Sequence, residues 1–283
     1  ESSTNLSLED LEYGLLNNLA EIDNRLSALP DQTKTDKLQH LHKKKDTTDY
    51  PDNSFAGRQA YLDSLQQAMQ FTFEHWPTIN NEARKTIELI GREEEIPPFQ
   101  YIDGTLVINL KDVTGLPLFE LESIATYYGY PGRAATDKPG SESLRTLLVL
   151  PGYQFGWAWY NMDRIINANA DRAQAHLHFL NLMTSLALAD LRLHTCSWTR
   201  QTARKFLLKQ TVYSQARISI ELDSILKRPG FHLSAFAGMT KFQDLQKRCI
   251  RECQREFLAR LVEIGPLPFD LLEERLFTEQ FIQ

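Results

Sequence analysis

Cysteine is scarce. Only Cys196, Cys249 and Cys253 occur in 283 residues, too few for a disulfide framework. No apolar run approaches the roughly 20 residues of a membrane-spanning helix. Positive charge is in deficit, with 31 Lys and Arg against 37 Asp and Glu and a net charge of -6, which argues against nucleic acid or an anionic membrane surface as an electrostatically recruited partner. Motifs are missing too. None of the seven His is followed by Glu or by a second His three or four residues later, so the usual helical zinc-hydrolase pattern is absent. There is no serine nucleophile elbow, no glycine-rich loop ending in Lys-Ser/Thr, no dinucleotide fingerprint after a strand, and no internal repeat.

What is present suits an ordinary globular chain, 42% hydrophobic and 24% charged, which excludes disorder and collagen-like structure. From Ser7 to Leu29 leucines and an isoleucine recur at helical spacing, Ser7 and Asp10 give a capping-box-like start, and Pro30 ends the helix. A polar connector follows from Lys43 to Asn53. Further helices are predicted over Ser54–Phe73 and near Asn80–Leu89. The acidic run Glu93-Glu94-Glu95 before Ile96-Pro97-Pro98 reads as a solvated loop. The convincing strand signal is Phe99–Ile102 and Thr105–Ile108 around Asp103-Gly104, a dipeptide that accepts the positive φ angles of a tight hairpin. Helices are then predicted over Leu118–Tyr128, Gly152–Ala168, Ala173–Leu193, Thr199–Gln210, Tyr213–Leu226, a long segment Leu233–Glu263, and a short closing stretch Leu271–Phe277. The fold class is mainly α with one short β-hairpin. Residues 1–52 form an amphipathic helix and connector, and residues 53–283 a helical domain.

Candidate chemistry is sparse. His176 and His178, two apart on a helix, point to different sides and cannot share a metal, so one is read as buried and one as exposed. Cys249 and Cys253 share a helix face as small core residues. The aromatic run Tyr153, Phe155, Trp157, Trp159 and Tyr160 fits a core better than a ligand groove. Asp190 and His194, four apart, can pair on one face as an acid-base dyad or as a structural ion pair at a helix end.

The order of several landmarks carries a resemblance. Asp103-Gly104 with Ile108-Asn109-Leu110 come first, then Tyr130-Pro131-Gly132, Gly156-Trp157-Ala158 with Tyr160, and Asp190, His194 and Trp198-Thr199. Pro229-Gly230 with Leu233-Ser234 and Gly238 close the series. In these features Phe99–Phe277 resembles the C-terminal part of the bacterial family known as domain of unknown function 885. Its members look like helical zinc-dependent peptidases or hydrolases and are often lipoproteins by prediction. The resemblance implies a helical metallopeptidase-like fold and an exported or cell-envelope location.

The departures bear on activity. The family signature His-Glu-x-x-Pro-Gly-His-His reads here Tyr127-Tyr128-Gly129-Tyr130-Pro131-Gly132-Arg133-Ala134. The Glu before Gly-Trp-Ala is Phe155, a second Glu is Met162 beside Asp163, and the family's Tyr-Lys after Leu-Ser is Ala235-Phe236. Metal-assisted hydrolysis needs ligands, a base for the water and an oxyanion donor. The resemblance therefore implies a degenerate site with no catalytic residues, no metal and no cofactor, serving peptide or protein binding or scaffolding. Tyr127, Tyr128, Phe155, Trp159, His232 and Phe236 are expected either to line the vacated cleft or to close it as core. The alternative is an active hydrolase using Asp190 and His194, with His232, Asp163 and a zinc ion. A third reading has Leu8–Leu29 drive self-association.

Overall fold

The computed structural model describes residues 6–29, 50–75, 86–94, 96–137, 150–166, 173–249 and 254–278. Pro30, Cys253, residues 80–85 of the helix expected near Asn80–Leu89, and most of the Lys43–Asn53 connector lie outside them. Ten α-helices and a three-stranded sheet make up the described chain: α1 Leu8–Ala28, α2 Phe55–His75, β1 Glu88–Arg92, β2 Phe99–Ile102, β3 Thr105–Asn109, α3 Leu121–Tyr128, α4 Pro151–Ile166, α5 Ala173–His194, α6 Arg200–Gln210, α7 Gln215–Lys227, α8 Phe231–Arg248, α9 Gln254–Ile264 and α10 Phe269–Thr278. The fold is mainly α.

The capping box forms: Ser7 Oγ accepts from the Asp10 N–H at 3.0 Å, while the Asp10 carboxylate accepts from the Ser7 N–H at 3.2 Å. The leucine face of α1 is not free for self-association. Leu11, Leu15, Leu19, Ile22 and Leu26 are buried within the chain, where α1 packs on α5. Polar rungs fix the register of that packing, with Thr184 Oγ1 donating to Asn18 at 3.0 Å and Arg192 pairing with Glu12 at 2.6 Å. Helix α5 is buried almost throughout from Ala173 to Leu191, as expected of a helix with apolar residues all round. One core lies between α5 and α1, α4 and α8, and a second between α5, α6 and α7.

The hairpin is present, with Ile102 opposite Thr105 and positive φ at Asp103 (45°) and Gly104 (83°). The sheet holds one strand more than expected. Glu88 and Leu89, read from sequence as the end of a helix, begin β1, which pairs in parallel with β3 from Glu88↔Thr105 to Arg92↔Asn109. The sheet order is β1-β3-β2. Asn109 ties the sheet to the loop before β2, donating through Nδ2 to the Ile96 carbonyl at 2.7 Å. The long helix expected over Leu233–Glu263 is also corrected. It is two helices, α8 ending at a Cys249 C-cap and α9 beginning at Gln254, so Cys249 lies beyond the last turn of α8.

Helices α4 and α8 approach so closely that they require glycine. A Cβ on Gly238 would stand 1.8 Å from the Gly152 carbonyl oxygen, and one on Gly156 would stand 2.7 Å from the Gly238 carbonyl carbon. These obstacles are backbone atoms and cannot rotate away.

Candidate functional site

Helix α3 delivers Tyr127 and Tyr128, and a tight turn at 129–132 then sends the chain away. A side chain at Gly132 would clash with the Tyr127 carbonyl oxygen, since a Cβ there would lie 2.2 Å from it. The Tyr130–Pro131 peptide bond is cis. From α4 the fully buried Trp157 donates its indole N–H to the Pro131 carbonyl at 2.9 Å and anchors the turn. After the turn Arg133 is buried, ion-paired with Asp137, and lies over the rings of Tyr101 (4.8 Å) and Phe155 (6.0 Å). Tyr101 donates to Asp137 at 2.6 Å, so this carboxylate serves both the cation and the phenol.

Asp190 and His194 do pair, at 2.9 Å between Oδ1 and Nδ1. The Asp190 carboxylate, 1% exposed, is nevertheless occupied elsewhere. Oδ1 accepts from the Gly230 N–H at 2.9 Å, and Oδ2 accepts from the N–H groups of His232 at 3.0 Å and Leu233 at 3.3 Å. These are donors that the first turn of a helix leaves without an internal partner, and an anion there is favoured by the helix dipole. Asp190 thus seats α8 on α5. His194 lies at the surface, and Asp163 is paired with Arg25 on α1 at 3.0 Å. His176 is buried and shares a 2.9 Å hydrogen bond with Ser123, whereas His178 is half-buried against Phe119.

Seating α8 places His232 inside the molecule. It opens on a cavity of about 160 Å³, together with Tyr127, Tyr128 and Phe155. Four of the six aromatic and imidazole positions expected at a cleft therefore share one cavity. The rings contact one another, with Tyr127 edge-on to Tyr128 (5.1 Å), stacked with Phe155 (6.2 Å), and Phe155 edge-on to Phe231 (4.8 Å). Trp159 and Phe236 are elsewhere: they pack on each other at 5.6 Å in the core, with Phe236 against Gly14 of α1.

Sequence reasoning missed the charged wall. Helix α7 contributes Arg217, Glu221 and the following Arg228 to the cavity. Arg217, 2% exposed, binds Glu221 (Nε–Oε1, 2.7 Å) and Glu120 (Nη1–Oε1, 2.5 Å). Burial alone would lower the Arg217 pKa, but the two carboxylates outweigh it and raise it. Burial pushes Glu120 above the usual carboxylate range, with Arg217 opposing. Arg217 and Glu221 are four apart and readable as a pair, but that the pair faces inward depends on Glu120, distant in sequence. His232 is lowered by burial, with Glu221 and Asp190 opposing, so the imidazole is held neutral. Burial raises the Tyr127 phenol well above its ordinary value.

The residues at the implied ligand positions do not fit zinc. Positions 127, 128, 133 and 155 carry two neutral phenols, a guanidinium and a phenyl ring, and the buried Arg133 cation would repel a divalent ion. Among the described residues no three of His, Cys, Asp and Glu come together as a metal-binding group.

The family model described as "Bacterial protein of unknown function (DUF885)" matches residues 1–276. The chain belongs to this family. The match takes in α1 and α2, which carry none of the landmarks of the resemblance. A crystal structure described as the putative lipoprotein from Colwellia psychrerythraea shares the fold, with a TM-score of 0.82 at 19% sequence identity, covering 99% of this chain and 53% of that one. The chain thus spans about half the length of that neighbour. Among curated proteins none matches. No described helix is long and apolar enough to cross a membrane.

The family landmarks are partners in space. Trp157 holds Pro131, Gly156 meets Gly238, and Asp190 receives Gly230 and Leu233. They build the scaffold around the cavity.

Proposed function

We propose that this chain is a non-catalytic member of its family that binds a peptide or protein segment at the aromatic cavity. One observation carries the reading: of the positions where the resemblance puts metal ligands and carboxylates, 127, 128 and 155 line this cavity with two phenols and a phenyl ring, and position 133 sets a guanidinium over that phenyl ring. None of these supplies a carboxylate base or a zinc ligand set. The hydrolase alternative rests on Asp190 and His194. Against it stands the engagement of both Asp190 oxygens by the α8 N-terminus, which leaves that carboxylate positioned for structure. A cell-envelope location is part of the proposal, supported by the description of the structural neighbour as a lipoprotein.

The test supplies zinc and a panel of peptide and ester substrates to the purified chain. The expected result is no turnover above the buffer rate, together with saturable binding of unlabelled peptides that compete for the cavity. Zinc-dependent turnover abolished by His194→Ala would overturn the proposal.

A further inference from the structure

We infer that the cavity recognises a free carboxylate on a compact apolar body, and, resting on the peptide-binding reading, that its occupant is the C-terminal residue of a peptide. The cavity holds two arginines in different states. Arg217 is neutralised by Glu120 and Glu221. Arg228, half-buried at the C-terminal end of α7, forms no ion pair among the described residues; its side chain donates to Ser224 Oγ at 2.6 Å and lies over the Phe231 ring at 4.3 Å. A guanidinium fixed on one face by an aromatic ring still presents a planar fork of N–H donors, the geometry that suits a carboxylate.

Two further residues lining the same cavity carry polar groups that lack partners. His232 is 6% exposed and neither ring nitrogen makes a hydrogen bond, and the Tyr127 hydroxyl is buried and equally unengaged. A neutral imidazole offers one donor and one acceptor, and a phenol either, so both can complete the coordination of a carboxylate beside Arg228. Leaving such groups unpaired is unfavourable, which favours an occupant able to satisfy them.

Size and lining decide the rest of the ligand. A volume of about 160 Å³ holds one side chain rather than an extended strand, and the rings of Tyr127, Phe155, Phe179 and Phe231 demand an apolar body. The groups facing His232 are Glu221, Asp190 and Arg228. Glu221 is engaged by Arg217 and Asp190 by the α8 N-terminus, so Arg228 is the charge left for a ligand.

Calorimetric titration decides between sources and chemistries, using N-acetyl-leucine, N-acetyl-leucinamide, the tripeptide Ala-Ala-Leu and its C-terminal amide. Both acids are expected to bind, each amide at least about ten-fold more weakly, and Arg228→Gln to lose the same factor while unfolding at the parent temperature. In the parent, acids but not amides should shift the His232 ring nitrogen resonances. Equal binding of acids and amides would overturn the carboxylate inference and leave peptide binding standing. Binding of N-acetyl-leucine without the tripeptide would keep the carboxylate site and overturn the peptide reading. No binding of either acid at millimolar concentration, with the protein folded, would overturn the inference itself.

Discussion

Asp190→Ala is expected to lower unfolding free energy by about 3 to 4 kcal/mol, the scale on which removing a buried, hydrogen-bonded charge acts. The carboxylate accepts from three backbone N–H groups at the start of α8 and from the His194 ring. Removing it leaves the buried His232 N–H unpaired and detaches the first turn of α8 from α5. Asp190→Asn, which keeps an acceptor but not the charge, should fall between. His194→Ala removes only the exposed partner and should cost less than about 1 kcal/mol. Urea denaturation of the three variants checks this. A structural Asp190 predicts a graded series, whereas unchanged midpoints with altered chemistry would return Asp190 to a catalytic role.

Arg217→Met should be comparably severe, about 3 to 5 kcal/mol, because it strands two carboxylates in the core without their common cation. It should also acquire a pH signature. Burial already raises Glu120, and Arg217 is the chief group opposing it, ahead of Tyr213. Without that guanidinium the folded state holds the Glu120 proton to higher pH than the unfolded chain does. A group whose folded pKa is raised contributes stability at low pH and loses it as pH climbs. The variant should therefore weaken between about pH 5 and 8 by up to about 1.4 kcal/mol per unit, more steeply than the parent. Adding Glu120→Gln and Glu221→Gln should flatten that slope. A parallel offset at all pH values would contradict the assignment.

Legibility followed locality. Ser7 with Asp10 and the Asp103-Gly104 turn were readable because cap and turn chemistry is satisfied within a few residues. Strand β1 was not. Glu88-Leu89-Ile90-Gly91-Arg92 has little strand alternation, and it is a strand because its backbone completes an edge of β3. Gly91 is part of that fit, since a Cβ there would come within 2.2 Å of Leu110 Cδ1. The break after Arg248 carries no Gly or Pro to announce it.

At the candidate site, Tyr127, Tyr128, Phe155 and His232 were legible through the family resemblance, which preserves their order around fixed landmarks. Trp159 and Phe236 each sit about one turn along their helices from a cavity residue, Phe155 and His232, and they pack on each other instead, with Phe236 against Gly14 of α1. Arg228 was not legible, because its significance lies in lacking the ion pair that Arg217 has, a property of packing rather than of spacing.

The most direct measurement is zinc content by elemental analysis, on protein purified without chelator or affinity metal and then dialysed against zinc, beside the folded His194→Ala variant. The account predicts substoichiometric zinc in both, as expected where phenols and a guanidinium stand at the ligand positions. Stoichiometric zinc in the parent would contradict it, and its loss in the variant would place a metal site at His194.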